Sequence, residues 1–104
     1  MNNSNKLPAN VELTEGKFEK VYRYYSTDII KIQDDNRGRK ITLFTGGRYT
    51  KSTKKHMEKL LAREGVNVIV QFSIIYGYRV IYWKNNNQEE IYSFDKDDYC
   101  DFYV

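Results

Sequence analysis

Apolar and polar residues alternate along much of the chain, and the places where the rhythm breaks predict its turns. Lys20 to Tyr25 is aromatic and β-branched, and Asp28 to Gln33 sets Ile30 and Ile32 on one face, the period-two pattern of strands. Asp34-Asp35-Asn36-Arg37-Gly38 is a turn cluster ending in glycine, suited to a hairpin that needs a left-handed residue. Alternation resumes from Arg39 to Thr45, with Ile41 and Leu43 inward and Lys40 and Thr42 outward. Two or three antiparallel strands are predicted here.

Thr45-Gly46-Gly47 then ends the strand, and the period changes. Thr53, Met57, Leu60, Leu61 and Glu64 recur at helical spacing, so Met57, Leu60 and Leu61 form a narrow apolar stripe. The predicted helix begins near Thr50–Thr53 and stops at Glu64, with Gly65 placed where helices commonly end in a left-handed residue. From Val66 to Ile75 the alternation puts Val66, Val68, Val70, Phe72 and Ile74 on one side. Tyr76-Gly77 turns into Tyr78–Lys84, and Asn85-Asn86-Asn87-Gln88 turns into Glu89–Phe94.

The expected fold is therefore α+β: an antiparallel sheet of five or six strands with one helix packed on a face, in the order β-β-β-α-β-β-β. Residues 1–16 read as a flexible N-terminal arm, 17–95 as a single domain and 96–104 as an acidic aromatic tail. One helix leaves part of such a sheet bare. Tyr22, Tyr24, Tyr82 and Trp83 are the candidates for exposed aromatics, and exposed patches of this kind mark binding.

Composition narrows the classes. The 104 residues suit one domain able to hold a core without staples. A single cysteine excludes an internal disulfide framework and a cysteine-cluster zinc site. No uncharged apolar run approaches the roughly 20 residues that span a bilayer, and Met1 to Lys6 lacks the apolar stretch of a signal peptide. A reducing cytoplasmic setting with no membrane partner is expected. Aromatic residues make up 15% of the chain, which favours strands over a helical bundle.

Charge changes the picture most. The net +3 conceals a segregation: from Asn36 to Arg63 there are nine basic residues against one acid, Glu58, whereas from Asn85 to Val104 there are six acids against one base, Lys96. A middle segment this cationic attracts phosphates or acidic protein surface. Equally, the acidic tail could fold back and neutralise it, within one molecule or across a dimer. Lys51, Lys55, Lys59 and Arg63 recur every four residues on one helix side, a spacing at which like charges repel by a few tenths of a kcal/mol per pair.

Two glycines and a run of hydroxyls precede the helix at Thr45-Gly46-Gly47-Arg48-Tyr49-Thr50-Lys51-Ser52-Thr53. Free N–H groups there suit either a Thr or Ser cap or an anion. A nucleotide P-loop is excluded, because Thr50 and not glycine precedes Lys51-Ser52. Tyr22-Arg23-Tyr24-Tyr25 and Tyr76 to Lys84 interleave aromatics with cations, which fits base stacking as well as cross-strand tyrosine pairing.

The glycine segment also carries a resemblance. Gly46, Gly47, Thr50, Thr53, Lys54 and Met57 form a Gly-Gly-x-x-Thr-x-x-Thr-Lys strand-to-helix step that resembles a family of small bacteriophage-encoded proteins. Arg48 stands where that family has Trp and Glu58 where it has Asn, and the likeness covers about a quarter of the chain. The resemblance implies a phage or mobile-element origin and no catalysis. It also implies action in the host cytoplasm as an inhibitor of the anti-CRISPR type.

Catalytic chemistry finds little footing. His56 is the only histidine, which removes paired-His metal sites. Cys100 sits among acids that disfavour a thiolate. Glu15-Gly16-Lys17 matches half of a metal-nuclease signature without an upstream Asp, and Asp95, Asp97 and Asp98 match no EF-hand. The expectation is a non-enzymatic protein without cofactor or metal that binds a host nucleoprotein. Arg48, Lys51, Lys54, Lys55, Lys59 and Arg63 supply charge, and Tyr82 and Trp83 supply aromatic anchors. The alternative is a direct DNA- or RNA-binding module using the same residues. The oligomeric state is left open, a dimer included.

Overall fold

Antiparallel hairpins account for most of the chain. The structure, a computed structural model, describes residues 6–84 and 87–104. In chain order the elements are β1 (Val11–Glu15), β2 (Glu19–Tyr24), β3 (Thr27–Asp35), β4 (Gly38–Phe44), α1 (Lys51–Arg63), β5 (Val68–Ser73), β6 (Gly77–Trp83), β7 (Glu89–Ser93) and β8 (Tyr99–Tyr103). They form an antiparallel sheet in the order β1-β2-β3-β4-β8 and a second antiparallel sheet in the order β5-β6-β7.

Register explains which face is buried. Tyr22, Ile30, Leu43 and Cys100 are cross-strand partners across β2, β3, β4 and β8, as are Ile32, Ile41 and Phe102. All are buried. The next row along, Val21, Lys31, Thr42 and Asp101, lies on the opposite, solvated face, the one-sided pattern usual for antiparallel sheets. The stripe Thr53, Met57, Leu60 and Leu61 buries α1 in this core. The smaller sheet contributes Val68, Val70 and Val80, and its Tyr92 and Tyr82 rings lie 5.0 and 5.7 Å from Phe102. Helix and small sheet thus share the layer above the large sheet.

The α+β class, the antiparallel pairing and, among the described residues, the single helix agree with the sequence reading, whereas the strand number and order do not. Among the described residues, eight strands in two sheets replace five or six in one. Residues 11–15, within the stretch read as an arm, pair with β2 from Val11↔Tyr24 to Glu15↔Lys20. The stretch read as a tail contains β8, whose Cys100 and Phe102 point inward beside β4. Tyr22, expected to be exposed, is fully buried. Ile74, expected on the inner face, lies in the β5–β6 turn because the Ser73 hydroxyl accepts the N–H groups of Ile75 and Tyr76 and closes the turn early. Of the predicted Asn85–Gln88 turn, Asn85 and Asn86 lie outside the described residues.

Candidate binding face on the helix

The start of α1 is set by its cap. Thr50 is extended (φ −104°, ψ 161°) and its hydroxyl accepts the Thr53 N–H at 3.2 Å, satisfying one of the free donors of the first turn. No acid lies in that turn, so the positive end of the helix dipole has no carboxylate of its own helix beside it. The preceding turn passes through Gly46 and Gly47 with φ of +60° and +82°, a backbone that side chains with a Cβ rarely adopt. Tyr49 is held there by stacking on Tyr78 at 4.0 Å, by an edge contact to Phe72 at 5.0 Å and by its hydroxyl donating to Asp98. Burial first, and then the Asp98 carboxylate, raise the Tyr49 hydroxyl above the usual tyrosine range.

Tyr49, Thr50, Lys51, Lys54, Lys55 and Phe72 line a groove of about 360 Å³. A second depression, of about 160 Å³, lies beside Pro8, Lys55, His56 and Lys59. Lys51, Lys55 and Lys59 are exposed, and among the described residues no carboxylate reaches ion-pair distance of them or of Arg48. Arg63 is exposed at the other end of the helix. Lys54 is different: it pairs with Glu58 at 3.1 Å, and Glu58 also accepts the Val70 N–H of β5 at 2.9 Å. His56 stacks on Tyr24 at 4.3 Å, with Nδ1 donating to the Ser52 carbonyl.

The acidic segment is engaged elsewhere. Asp95 accepts the N–H groups of Asp97 and Tyr99, Asp98 accepts from Tyr49, and Asp101 lies on the outer face of the large sheet. None of these carboxylates pairs with a helix lysine among the described residues. Nor do the two expected aromatic anchors join the lysines. Tyr82 is turned inward against Phe102, and Trp83, half-buried, lies on the outer face of the small sheet opposite Glu89. Adjacent strand residues point to opposite faces, so these two could not have served one surface. Tyr49 and Phe72 hold the aromatic positions beside the lysines instead.

At the opposite end of α1 lies a cluster that sequence reasoning missed. Glu64 caps the helix and its carboxylate accepts the Tyr22 hydroxyl, Lys20 Nζ (3.1 Å) and Arg39 Nη2 (2.9 Å), while Arg39 Nη1 caps the Glu64 carbonyl at 3.0 Å. Burial alone would raise the Glu64 carboxyl. The Tyr22 hydrogen bond, then Lys20 and Arg39, outweigh it and hold the carboxyl below the usual glutamate value. Burial and the same carboxylate raise the Tyr22 hydroxyl well above the tyrosine range. Every member is thus satisfied by another, and the cluster ties the helix end to β2 and β4.

Cys100 is buried, and burial, followed by Asp101 and Asp95, pushes its thiol up to about 12, the opposite of an activated nucleophile. Among the described residues no three His, Cys, Asp or Glu side chains group as metal ligands would, and no helix is long and apolar enough to cross a membrane. The chain matches no family model, no curated protein and no solved structure.

Proposed function

We propose that the chain is a non-catalytic binding module that takes the phosphate backbone of a nucleic acid along the lysine side of α1. The observation that carries this reading is the row Lys51, Lys55, Lys59: exposed, four residues apart, and with no carboxylate at ion-pair distance among the described residues. At about 1.5 Å rise per residue the row spans about 12 Å, the reach of several phosphates. Its mutual repulsion disfavours the free helix, and a bound polyanion reverses that term. Tyr49 and Phe72 in the adjoining groove supply faces on which unpaired bases stack, which favours single strands over duplex.

Fluorescence anisotropy with labelled single-stranded DNA, single-stranded RNA and duplex DNA at low salt tests the reading. The expected result is binding by the native chain, preferring single strands, and a loss of at least about tenfold in K51E/K55E/K59E. No binding to any of the three refutes it.

The second reading is an anti-CRISPR-like inhibitor of a host nucleic-acid-handling complex, with phage or mobile-element origin and host cytoplasm as its setting. It is favoured by the Gly46–Met57 resemblance and employs the same lysines. Capture of a nucleoprotein that survives nuclease treatment, and is lost in the triple variant, distinguishes it.

A further inference from the structure

We propose that the outer face of the β5-β6-β7 sheet is an interface between two copies of this chain. Ile69, Ile81 and Ile91 are cross-strand partners on that face, with Ile69 and Ile91 exposed. Gln71, Arg79 and Ser93 form the next row toward the β5–β6 turn, and Trp83 and Glu89 form the row at the other end. Beyond the turn end, Ile74 is 95% and Ile75 84% exposed, followed by Tyr76 at 71%. The turn belongs to the same surface, because Arg79 lies over the Tyr76 ring at 6.0 Å while its Nε donates to Gln71 at 2.7 Å.

Two features select a second copy as the occupant. The first is area. Taking roughly 120 Å² for a fully exposed isoleucine side chain and 200 Å² for tyrosine, the exposed isoleucines and Tyr76 present about 500 Å² of apolar surface. That lies in the upper part of the roughly 300–600 Å² range of the largest, often functional, patch on a monomer, and with Ile81, Trp83, Gln71 and Ser93 it approaches the roughly 800 Å² per partner that stable interfaces bury.

The second is charge. The cation of this face, Arg79, and its carboxylate, Glu89, lie on opposite sides of Ile81, one toward the turn and one toward Trp83. A two-fold axis at Ile81 that reverses the strands sets Arg79 against the partner's Glu89 twice, and the Ile74–Tyr76 turn over the partner's Trp83. Such self-complementarity is the mark of an isologous interface. Two sheets stacked face to face through a branched aliphatic row is a standard sandwich arrangement. The inference is independent of the nucleic-acid reading, since α1 takes no part in it.

Light scattering coupled to size exclusion at about 100 µM protomer reads the state directly. The expected mass is twice 12.4 kDa, falling to one chain in I69K/I91K with an unchanged far-ultraviolet circular dichroism spectrum. Arg79→Glu raises the dissociation constant by at least about tenfold, and adding Glu89→Arg restores it. A thiol-reactive cross-linker about 10 Å long, matching the spacing of stacked sheets, joins Ile81→Cys into a covalent dimer, whereas Lys31→Cys on the outer face of the large sheet is not joined. The buried Cys100 does not interfere. A monomeric native chain, a dimer indifferent to I69K/I91K, or failure of the Ile81→Cys link overturns the proposal and leaves the face to a different partner.

Discussion

Replacing Glu64 with alanine removes one carboxylate and unmakes three contacts at once. Tyr22, with 0% exposure, is left with a buried hydroxyl and no acceptor, which costs about 1–3 kcal/mol. The side chains of Lys20 and Arg39 are 40% and 31% exposed, so water replaces much of what they lose. Their share stays near the few tenths to 1 kcal/mol of surface pairs and well short of the 3–5 kcal/mol of a fully buried one. Arg39 also keeps its bond to the Glu64 carbonyl. The total is about 2–3 kcal/mol, and at about 4–8 °C per kcal/mol the melting temperature falls by about 8–24 °C. Thermal unfolding followed by circular dichroism measures it. Tyr22→Phe removes the hydroxyl that needs the acceptor, so Y22F/E64A loses less than the sum of the single variants. An E64A protein that melts within about 2 °C of the native chain, or a cycle with no coupling, refutes the view that this cluster fastens the helix end.

The same carboxylate gives a pH dependence. Because the folded pKa of Glu64 lies below its ordinary 4.5, its contribution is present above about pH 4.5 and is lost as pH falls through the folded value. In E64Q that part of the acid destabilisation disappears, as equilibrium unfolding between pH 3 and 6 checks. At the alkaline end, Tyr22, Tyr49, Tyr92 and Tyr103 all stay protonated above the ordinary tyrosine value of 10.0. Their contribution is therefore present below pH 10 and declines above it, readable in the same titration extended upward. Cys100 reacts with a thiol reagent only at the rate of global unfolding. Gly65→Ala, at φ +80° with open space for its Cβ, lowers stability by about 1 kcal/mol through backbone strain alone, and Gly65→Asn by less.

Local patterns were legible where one element carried its own period. The alternation around Ile30, Ile32, Ile41 and Leu43 marked β3 and β4, and Met57, Leu60 and Leu61 with Thr50 and Gly65 marked the helix and its ends. β1 was hidden because Val11 and Leu13 are its only apolar residues, and its place is secured by pairing with β2. β8 was hidden because its outward positions lie amid acids, although Cys100 and Phe102 keep the inward period.

The lysines of the candidate site were visible in their four-residue spacing. Their aromatic neighbours were not, since Tyr49 and Phe72 come from different elements and meet only once the small sheet docks beside α1. Tyr82 and Trp83 lie on opposite faces of the small sheet for a reason already present in the chain, the alternation of strand side chains. Glu64, Tyr22, Lys20 and Arg39 come from three separate elements, and no spacing announces such a cluster.

The central claim is that the lysine row meets phosphates, and the salt dependence of oligonucleotide affinity tests it most directly. For three or four contacts to a single strand, log K falls with log salt with a slope of about −2 to −3, and K51Q/K55Q/K59Q reduces that slope by about 2. A slope that is the same in native and triple-variant protein contradicts the account.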